Sequence, residues 1–249
     1  KILPVDFVLS EEGDCWAYGY DNSKMHVMPE CVLFADSKAQ IKDIVRYCFE
    51  NTIPITTRGR GTGNTGGSVP IENSVVLSLE KMNKIIDIDI SNRLAVVQPG
   101  VINKTLQDEL QKENFFWGPD PSSQDYSTIG GNIANNSAGP RAIKYGTPRD
   151  NILGLEFISG TGEIHKTGVK TSKGVVGLDL TRLFVGSEGV LGILSEATLK
   201  ILPLNNSVKT FEITFETLKS ASDMIIMLMT QPITPYKLEF VDEQSVKLI

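Results

Sequence analysis

The chain has 249 residues, of which 41% are hydrophobic and 22% charged, so it can build one large core or two smaller ones. This composition argues against a disordered or fibrous chain. Acidic residues (30) outnumber Lys and Arg (24), and the net charge of −6 argues against a nucleic-acid-binding protein. All but two of the 22 glycines lie between Gly59 and Gly192, and we expect the function to reside in this segment.

Cysteine usage and hydropathy indicate a reduced, cytoplasmic protein. Cys15, Cys31 and Cys48 form no C-x-x-C pair, and their odd number argues against a disulfide framework. The longest apolar run, residues 224–229, is far shorter than the ~20 residues that span a bilayer, so we expect no transmembrane segment. No signal peptide is visible, and the absence of an initiator Met at Lys1 leaves open that the natural N-terminus lies upstream.

The first half of the chain alternates predicted helices and strands. A helix is expected to begin at the capping box Ser37-Lys-Ala-Gln40, to carry apolar residues at helical spacing and to end before Pro54. A second helix is predicted over residues 101–112. Strands are predicted over residues 53–57, 75–79, 85–90 and 94–98, the last two forming a hairpin.

The second half begins with an irregular stretch, residues 118–146, rich in Gly, Pro, Ser and Asn. A connection of this length is uncommon and usually functional. Within it a short helix over residues 129–135 is expected, capped by Ser127 or Thr128. Further on, the patterns predict a hairpin of residues 152–159 and 163–167, a helix over 178–184 and a strand over 191–202.

The character of the sequence changes near residue 205. Residues 208–215, 218–229 and 237–241 predict a strand, a Met-rich helix and a strand, and the chain stops at Ile249 inside what looks like the next helix. We therefore predict a first domain over residues 1–205 and the beginning of a second, truncated domain over 206–249. The Met-rich helix is expected to pack on a sheet, and a partner-binding surface is the alternative.

A glycine-rich loop, Arg58-Gly-Arg-Gly-Thr-Gly-Asn-Thr-Gly-Gly67, contains G-x-G-x-x-G. The Rossmann interpretation fails because a strand rather than a helix follows, and a P-loop fails because no Gly-Lys-Ser/Thr is present. The backbone amides of such a loop form a concavity suited to phosphate oxygens, and Arg58 and Arg60 would add positive potential. A flexible surface loop is the alternative, although strands on both sides favour binding.

Residues 119–139 form a second candidate binding stretch. Gly130 and Gly131 would let the end of the short helix approach an anion. Asn132, Asn135 and Ser137 offer uncharged donors and acceptors, which suit the edges of a ring and hydroxyl groups. An irregular structural loop, whose Asn and Ser form local turns, explains this stretch equally well.

Six segments in a fixed order resemble the FAD-binding domain of the p-cresol methylhydroxylase and vanillyl-alcohol oxidase superfamily. Within it, the chain looks most like the FAD subunit of glycolate oxidase and the related D-lactate and D-2-hydroxyglutarate dehydrogenases. The resemblance extends from about Pro29 to Ile249. The segments are the glycine loop, Val96-Val-Gln-Pro-Gly100, Pro119-Asp-Pro-Ser-Ser123, Thr128-Ile-Gly-Gly-Asn132, Lys144-Tyr-Gly146 and Leu183-Phe-Val-Gly-Ser-Glu-Gly-Val-Leu-Gly-Ile193.

The resemblance implies an α+β fold of two lobes with an extended FAD between them, followed by the start of an α+β substrate (cap) domain. Because the glycine loop carries no His, we expect the FAD to be non-covalent, and no metal site is expected within the chain. The resemblance implies these cofactor-binding residues: Arg58, Gly59, Arg60, Gly61, Thr62, Gly63, Asn64, Pro119, Ser122, Thr128, Gly131, Asn132, Asn135, Ser137, Glu188, Gly192 and Ile193.

The resemblance also implies the chemistry: a small 2-hydroxy acid loses its α-hydrogen as hydride to flavin N5 while a base takes the hydroxyl proton. No catalytic residue is identified in this chain, since the relatives' His-rich cluster lies beyond residue 249. His26 and His165 are expected to be ordinary surface or hairpin residues. Other oxidase subunits or an iron–sulfur electron acceptor are implied partners, with peripheral membrane association through them.

Several points stay open at this level. Arg141, Lys144 and Arg149 lie near the cofactor segments and could attract an acidic substrate, although solvated surface charge explains at least two of them. Gly174 and Leu178 replace an Asn and a Tyr that are usual in relatives.

The alternative functions are a flavoenzyme of the same fold acting on another alcohol or a lipid precursor, and a non-catalytic FAD- or nucleotide-binding subunit of a larger oxidase complex.

Overall fold

Two β-sheets organise the computed structural model, which describes residues 2–171, 173–205 and 207–248. In the first sheet, the order is β1-β2-β4-β3; β4 runs parallel to β2 and β3, and β1 is antiparallel to β2. The elements of this lobe are β1 (Val8–Leu9), α1 (Glu12–Trp16), β2 (Cys31–Phe34), α2 (Lys38–Glu50), β3 (Ile55–Arg58) and β4 (Val75–Ser78).

Helix α2 covers the first sheet because its apolar residues recur at helical spacing. Ile41, Ile44, Val45 and Cys48 are all buried, and they pack with Leu77 of β4 in one cluster. The predicted capping box is wrong in detail. The N-cap side chain of Ser37 makes no hydrogen bond, and Gln40 Oε1 instead accepts from the backbone of the preceding residue, Asp36 N, at 2.8 Å.

The second sheet is antiparallel, in the order β5-β6-β10-β8-β9, with β7 pairing with β10. Both predicted hairpins, β5–β6 and β8–β9, are confirmed. The strands are β5 (Ile85–Asp89), β6 (Leu94–Val97), β7 (Phe115–Trp117), β8 (Ile152–Ile158), β9 (Ile164–Gly168) and β10 (Ile193–Pro203). The helices of this lobe are α3 (Asn103–Lys112), α4 (Ile129–Ala134), α5 (Ala142–Tyr145) and α6 (Leu180–Phe184).

The hydrophobic cores of the two lobes are continuous in part. The larger cluster surrounds Trp117 on one face of the second sheet. Ile158 of β8 and Ile193 of β10 belong instead to the cluster beneath α2, so apolar burial joins the second sheet to the first lobe. The two lobes therefore hold a defined relation to each other, and the loops at their junction form the candidate site.

The three cysteines are free thiols, and Cys15 and Cys48 are buried while Cys31 is half-buried. Burial raises the pKa of all three thiols above the ordinary value. The side chain of Cys48 packs in the core beneath α2.

The C-terminal part differs from the prediction. Residues 208–215 and 237–241 were expected to form strands, but neither pairs with a strand in the described part of the chain. A strand exists only with a hydrogen-bonded partner, so their alternation alone does not make a sheet. Helices α7 (Leu218–Met229) and α8 (Glu243–Val246) do form.

The expected packing of the Met-rich helix α7 on a sheet is wrong. Only Ala221 of this helix is buried, and Met227 is 61% exposed. Because the flanking segments form no sheet, α7 has no apolar face to cover. Among the described residues, none of the helices combines the length and the apolar composition needed to cross a lipid bilayer.

Candidate functional site

A cleft of about 670 Å³ lies where the glycine loop faces α4 and its preceding segment. Its volume is in the range of ligand-binding clefts. The three glycine-rich regions of the sequence, residues 59–67, 130–139 and 186–192, all contribute to its lining, although they are far apart in the chain. The lining consists of Asp21, Asn22, Thr57, Gly59, Arg60, Gly61, Thr62, Gly63, Asn64, Thr65, Gly67, Ser68, Pro121, Ser122, Ser123, Thr128, Gly131, Asn132, Asn135, Ser137 and Glu188.

The glycine loop begins where β3 ends and turns back sharply. Gly61 and Gly66 have φ values of +64° and +83°, which residues with a side chain rarely adopt. Gly59 approaches α4 so closely that a Cβ there would lie 2.4 Å from Thr128 Oγ1. Within the described residues, no backbone amide from Gly61 to Thr65 donates to another protein atom. These amides are therefore available to a ligand in the cleft.

The strap, residues 17–25, holds the glycine loop from the N-terminal side. Asn22 N donates to Gly63 O at 2.9 Å, and Asn22 Nδ2 donates to Thr62 O at 3.3 Å. The carboxylate of Asp21 accepts from Gly66 N at 3.0 Å. The strap was missed at the sequence level, because nothing in its spacing links it to a loop about forty residues away.

Arg58 lies beneath the glycine loop rather than in the cleft. Its guanidinium is buried and donates to Tyr20 O at 2.7 Å and Ser68 O at 3.3 Å. A Cβ at Gly61 would meet the guanidinium at 2.2 Å, so the charge sits directly against the loop. Burial lowers the pKa of Arg58 while nearby Asp21 acts in the opposite direction, and the side chain keeps its charge.

Arg60 lines the cleft, as the sequence suggested, but it has a protein partner. Its guanidinium lies 3.3 Å from Glu80 Oε2, and half of the side chain is exposed. The other carboxylate oxygen of Glu80 accepts from Tyr18 Oη at 3.3 Å. Arg60 therefore adds positive potential at the rim, reduced by the neighbouring carboxylate.

The predicted cap of the short helix α4 is confirmed. Thr128 Oγ1 accepts from Gly131 N at 3.1 Å, and the helix ends one residue earlier than predicted. The expected approach of this helix end to an anion stays a prediction, but two of its amides are not free to bind one. Gly130 N donates to Pro99 O at 2.8 Å and Gly131 N to Thr128, so protein acceptors already satisfy both groups.

Asn132 lies in the wall of the cleft with both ends of its amide engaged. Its Oδ1 accepts from Asn103 Nδ2 at 2.9 Å, and its Nδ2 donates to Ser127 Oγ at 3.1 Å. Asn135 Nδ2 donates to Gly131 O at 3.1 Å, which leaves the carbonyl end of its exposed side chain free for a ligand. Asn132 therefore shapes the wall, and Asn135 can contact a ligand directly.

The third glycine-rich region reaches the cleft through Glu188. This residue has φ of +52°, and its backbone amide donates to Ala134 O at the end of α4, at 2.9 Å. A Cβ at Gly67 would lie 3.0 Å from Glu188 Oε2, so the carboxylate touches the far end of the glycine loop. The cleft thus carries two carboxylates, those of Glu188 and Asp21.

Pro119, Gly192 and Ile193 lie outside the lining of the cleft. The carbonyl of Pro119 accepts from Asn103 Nδ2 at 3.4 Å inside the protein. A Cβ at Gly192 would meet Ile158 O at 2.7 Å, so the glycine allows β10 to approach β8. Ile193 is buried in the core beneath α2. These three residues support the site through packing.

A buried acid, Asp120, lies in the segment just before the cleft-lining Pro121. Its Oδ1 accepts from Arg141 N at 2.9 Å, and its Oδ2 lies 3.2 Å from Arg141 Nε and 2.8 Å from Lys237 Nζ. Arg149 is also engaged, donating to Val185 O at 3.2 Å. Lys144 is exposed over the ring of Tyr145.

The two histidines lie in different lobes. The ring of His26 packs against Trp16 in the first lobe, with centroids 5.1 Å apart, and Nε2 lies 3.2 Å from Trp16 O. His165 stacks on Phe157 in the second lobe. Leu178, where relatives usually carry Tyr, is 88% exposed.

Sequence reasoning missed several lining residues. Gly67 ends the glycine loop, Ser68 follows it directly, and Pro121 lies inside a motif that had been singled out, so adjacency alone was a usable signal. Thr57 could have been inferred from its place at the end of β3. Asp21 and Asn22 carried no such signal.

Comparison with known proteins gives concordant results. A glycolate oxidase subunit GlcD of Bacillus subtilis (strain 168) is 42% identical over 93% of this chain and 50% of its own length. A D-lactate dehydrogenase of Anaerostipes hadrus is 38% identical over 88% of the chain and 46% of its own length. The chain thus spans about half the length of the curated relatives it matches.

Solved structures of alkyldihydroxyacetonephosphate synthase share the fold. One superposes with a TM-score of 0.72 at 23% identity, covering 82% of this chain and 39% of that one. The α+β fold with two lobes is shared with these structures. The family model described as "FAD binding domain" matches residues 29–168, more than half of the chain, and the chain belongs to this family of FAD-binding proteins.

Proposed function

We propose that the chain holds FAD non-covalently in the cleft, as the cofactor-binding portion of an enzyme that oxidises a small 2-hydroxy acid of the glycolate or D-lactate type. The observation that carries this proposal is the run of backbone amides from Gly61 to Thr65 that donate to no acceptor in the described part of the chain. These amides lie directly above the buried Arg58 guanidinium. Neutral amides backed by a fixed cation suit the pyrophosphate of an extended dinucleotide.

Each predicted contact residue has a proposed part. The glycine loop, residues 59–66, would bind the pyrophosphate and the ribityl chain, with Arg60 at the rim. Uncharged groups on the opposite wall would meet ring edges and hydroxyls, as supported by the exposed polar side chains of Ser122 and Asn135 and the half-buried one of Ser137. Glu188, at the far end of the loop, would accept from a ligand hydroxyl. Arg58, Thr128, Gly131, Asn132, Pro119, Gly192 and Ile193 would act by holding these groups in place.

The flavin, when bound, supplies a hydride acceptor at N5 for the carbon that carries the substrate hydroxyl. This chain's residues bind and orient the flavin and exclude water from one of its faces. We assign the base that takes the hydroxyl proton, and the cations that bind the substrate carboxylate, to the half of the relatives' length that this chain does not span.

The proposed domain division, residues 1–205 and 206–249, is supported by the end of the last strand. Strand β10 ends at Pro203, and α7 beyond it buries only Ala221. Tyr236 and Lys237, in the part after residue 205, contact Tyr145 and Asp120 of the first part. We infer that it begins a substrate domain placed beside the flavin wall, by which we mean the side of the cleft formed by residues 119–137.

Further subunits and an iron–sulfur electron acceptor are proposed as partners, because one similar protein is itself named a subunit of glycolate oxidase. We also propose a cytoplasmic location, with any membrane contact made through partners. The three cysteines are free, which suits a reducing compartment.

Binding is tested by titrating the purified chain with FAD while following flavin fluorescence and visible absorbance. Saturable binding, with all flavin released into the supernatant by acid precipitation, is expected. A chain that shows no saturable binding would contradict the proposal, and flavin that stays with the acid precipitate would contradict its non-covalent form.

The substrate is tested with the full-length protein and an artificial electron acceptor. A panel should contain glycolate, D-lactate, L-lactate, D-2-hydroxyglutarate and simple alcohols without a carboxylate. Turnover confined to 2-hydroxy acids is the expected outcome. Turnover of the alcohols alone, or of no member of the panel, would contradict the assignment of the substrate class.

A further inference from the structure

We propose that Asp21 is a positioning residue that fixes the glycine loop in the form that receives the FAD pyrophosphate. This inference rests on the proposed function, because it concerns how the same cleft reaches its affinity. Asp21 lies in the strap, far from the loop in sequence, and its role follows from its contacts.

Asp21 is only 2% exposed, and both of its carboxylate oxygens accept from backbone amides. Oδ1 accepts from Ser23 N at 2.8 Å, which closes a turn in the strap itself. Oδ2 accepts from Gly66 N at 3.0 Å, which ties the strap to the glycine loop. A buried carboxylate costs free energy unless it is paired or fully hydrogen-bonded, so these bonds are needed for its burial.

The bond to Gly66 lies at a point of backbone constraint. Gly66 has φ of +83°, and Gly61 at the other side of the loop has φ of +64°. The strap therefore fastens the loop at Gly66 through Asp21, and at Thr62 and Gly63 through Asn22. All three of these strap–loop bonds leave the amides of residues 61–65 unused. The loop is thus held in shape without using the groups that a phosphate needs.

The charge of Asp21 is also needed beneath the loop. The buried guanidinium of Arg58 bonds to backbone carbonyls, including Tyr20 O and Ser68 O, and among the described residues no carboxylate lies within ion-pair distance of it. Asp21 is the strongest of the charged groups that favour the charged form of Arg58. Together the two residues keep a cation buried against the loop while the cleft is empty, so that binding an anion requires no rearrangement.

An amide cannot replace this carboxylate. In Asp21→Asn, one oxygen can still accept, but the –NH₂ group would face the amide of Gly66 or Ser23, donor against donor. Arg58 would also lose its strongest neighbouring charge. Asp21→Glu keeps the charge but moves the carboxylate by one methylene, so that its two bonds can no longer form together.

The test compares the wild-type chain with D21N and D21E by FAD titration and by ADP titration, well below the unfolding temperature of each. We expect the Kd for both ligands to rise roughly tenfold or more in each variant, since bonds to a charged acceptor are lost or displaced. Amide hydrogen exchange in residues 59–67 of the ligand-free chain should become faster.

The matched control is D89N, which changes another carboxylate that accepts a backbone amide in a turn, Asn92 N at 2.9 Å, at a position outside the cleft lining. It should lower stability and leave both Kd values and the exchange of residues 59–67 unchanged. A role for Asp21 in general stability alone would make D21N behave like D89N.

The role of Asp21 and the proposed FAD binding can fail separately. A wild-type chain that binds FAD, together with unchanged Kd values in D21N and D21E, would overturn the role of Asp21 and leave the proposed function standing. A wild-type chain that binds neither FAD nor ADP would overturn the proposed function and this inference with it. If D21N does not fold, D21E decides between the same outcomes.

Discussion

Lys38 Nζ, at the first turn of α2, donates to both carboxylate oxygens of Glu156 on β8, at 3.1 and 3.2 Å. This contact links a helix of the first lobe to a strand of the second. Glu156 is 4% exposed, and its carboxylate also accepts from Ser195 Oγ at 3.0 Å and pairs with Lys166 Nζ at 3.1 Å. A buried acid with three donors therefore lies at the junction that positions the cleft.

Replacing Glu156 with Gln should destabilise the chain by about 1–2 kcal/mol at neutral pH, because charge-assisted bonds are lost while both lysines can return to water. Equilibrium urea unfolding measures this difference. A matched surface variant is Glu163→Gln, whose side chain is exposed and lies near only His165. Its effect should be close to zero, and an equal loss in both variants would contradict the junction role of Glu156.

The contribution of Glu156 should depend on pH in a defined direction. Burial raises the pKa of its carboxyl, but the hydrogen bonds from Lys38, Lys166 and Ser195 outweigh burial, and the net pKa is lowered. A lowered folded-state pKa stabilises the protein above the unfolded-state pKa of about 4.3. This stabilisation is lost as the pH falls through that value towards the folded pKa. The difference between wild type and E156Q should therefore shrink on acidification, and a difference that grows would contradict the lowered pKa.

Gly59 is expected to be intolerant of any side chain. A Cβ at this position would lie 2.4 Å from Thr128 Oγ1, so Gly59→Ala must separate the glycine loop from the start of α4. We expect weaker FAD binding, by roughly tenfold, since overpacking costs about 1–3 kcal/mol. The control is Gly13→Ala in α1, where a Cβ would meet nothing within 4 Å. That change should leave the Kd for FAD unaltered and slightly raise the melting temperature.

The two helix caps offer a second pair of matched variants. Thr128→Val removes the hydroxyl that accepts from Gly131 N, and it should cost about 1 kcal/mol of unfolding free energy. Ser37→Ala at the start of α2 should cost much less, because the side chain of Ser37 makes no capping hydrogen bond. Denaturant titration of both variants measures the unfolding free energy, and equal losses of unfolding free energy in the two variants would contradict the observed caps.

These caps also mark how far sequence reasoning extends. Local signals predicted the elements whose partners are close in the chain: the β5–β6 and β8–β9 hairpins, and the cap at Thr128. They failed where a distant partner decides. The alternation in residues 208–215 is typical of a strand, but no strand pairs with this segment in the described part of the chain. The capping box failed for a local reason, because the side chain of Ser37 makes no capping hydrogen bond.

The candidate site, too, could be predicted from the sequence only in part. Glycine clusters could be located from composition, and the order of six motifs implied that they share one ligand. Their meeting in one cleft depends on the packing of the two lobes. Asp21 was not predicted, because an Asp followed by Asn and Ser is also typical of an ordinary turn. The reason for its burial is a contact with Gly66, which no local pattern encodes.

The last prediction concerns the segment after residue 205. Lys237 Nζ lies 2.8 Å from Asp120 Oδ2, and the neighbouring ring of Tyr236 packs edge-on against Tyr145. Replacing Lys237 with Met should cost about 1 kcal/mol or less, because Lys237 is half-exposed and Asp120 keeps Arg141. It should still speed chymotrypsin cleavage within residues 232–241, because the ion pair that ties this segment to Asp120 is lost.

The control for Lys237→Met is Lys219→Met on α7, whose ion pair with Asp223 is wholly on the surface. It should leave chymotrypsin cleavage within residues 232–241 unchanged. Because Asp120 directly precedes Pro121 in the cleft lining, faster cleavage in Lys237→Met should be accompanied by a small rise in the Kd for FAD. Unchanged cleavage would show that Asp120 and Lys237 do not hold the C-terminal segment, and would contradict the proposal that this segment places a substrate domain beside the flavin wall.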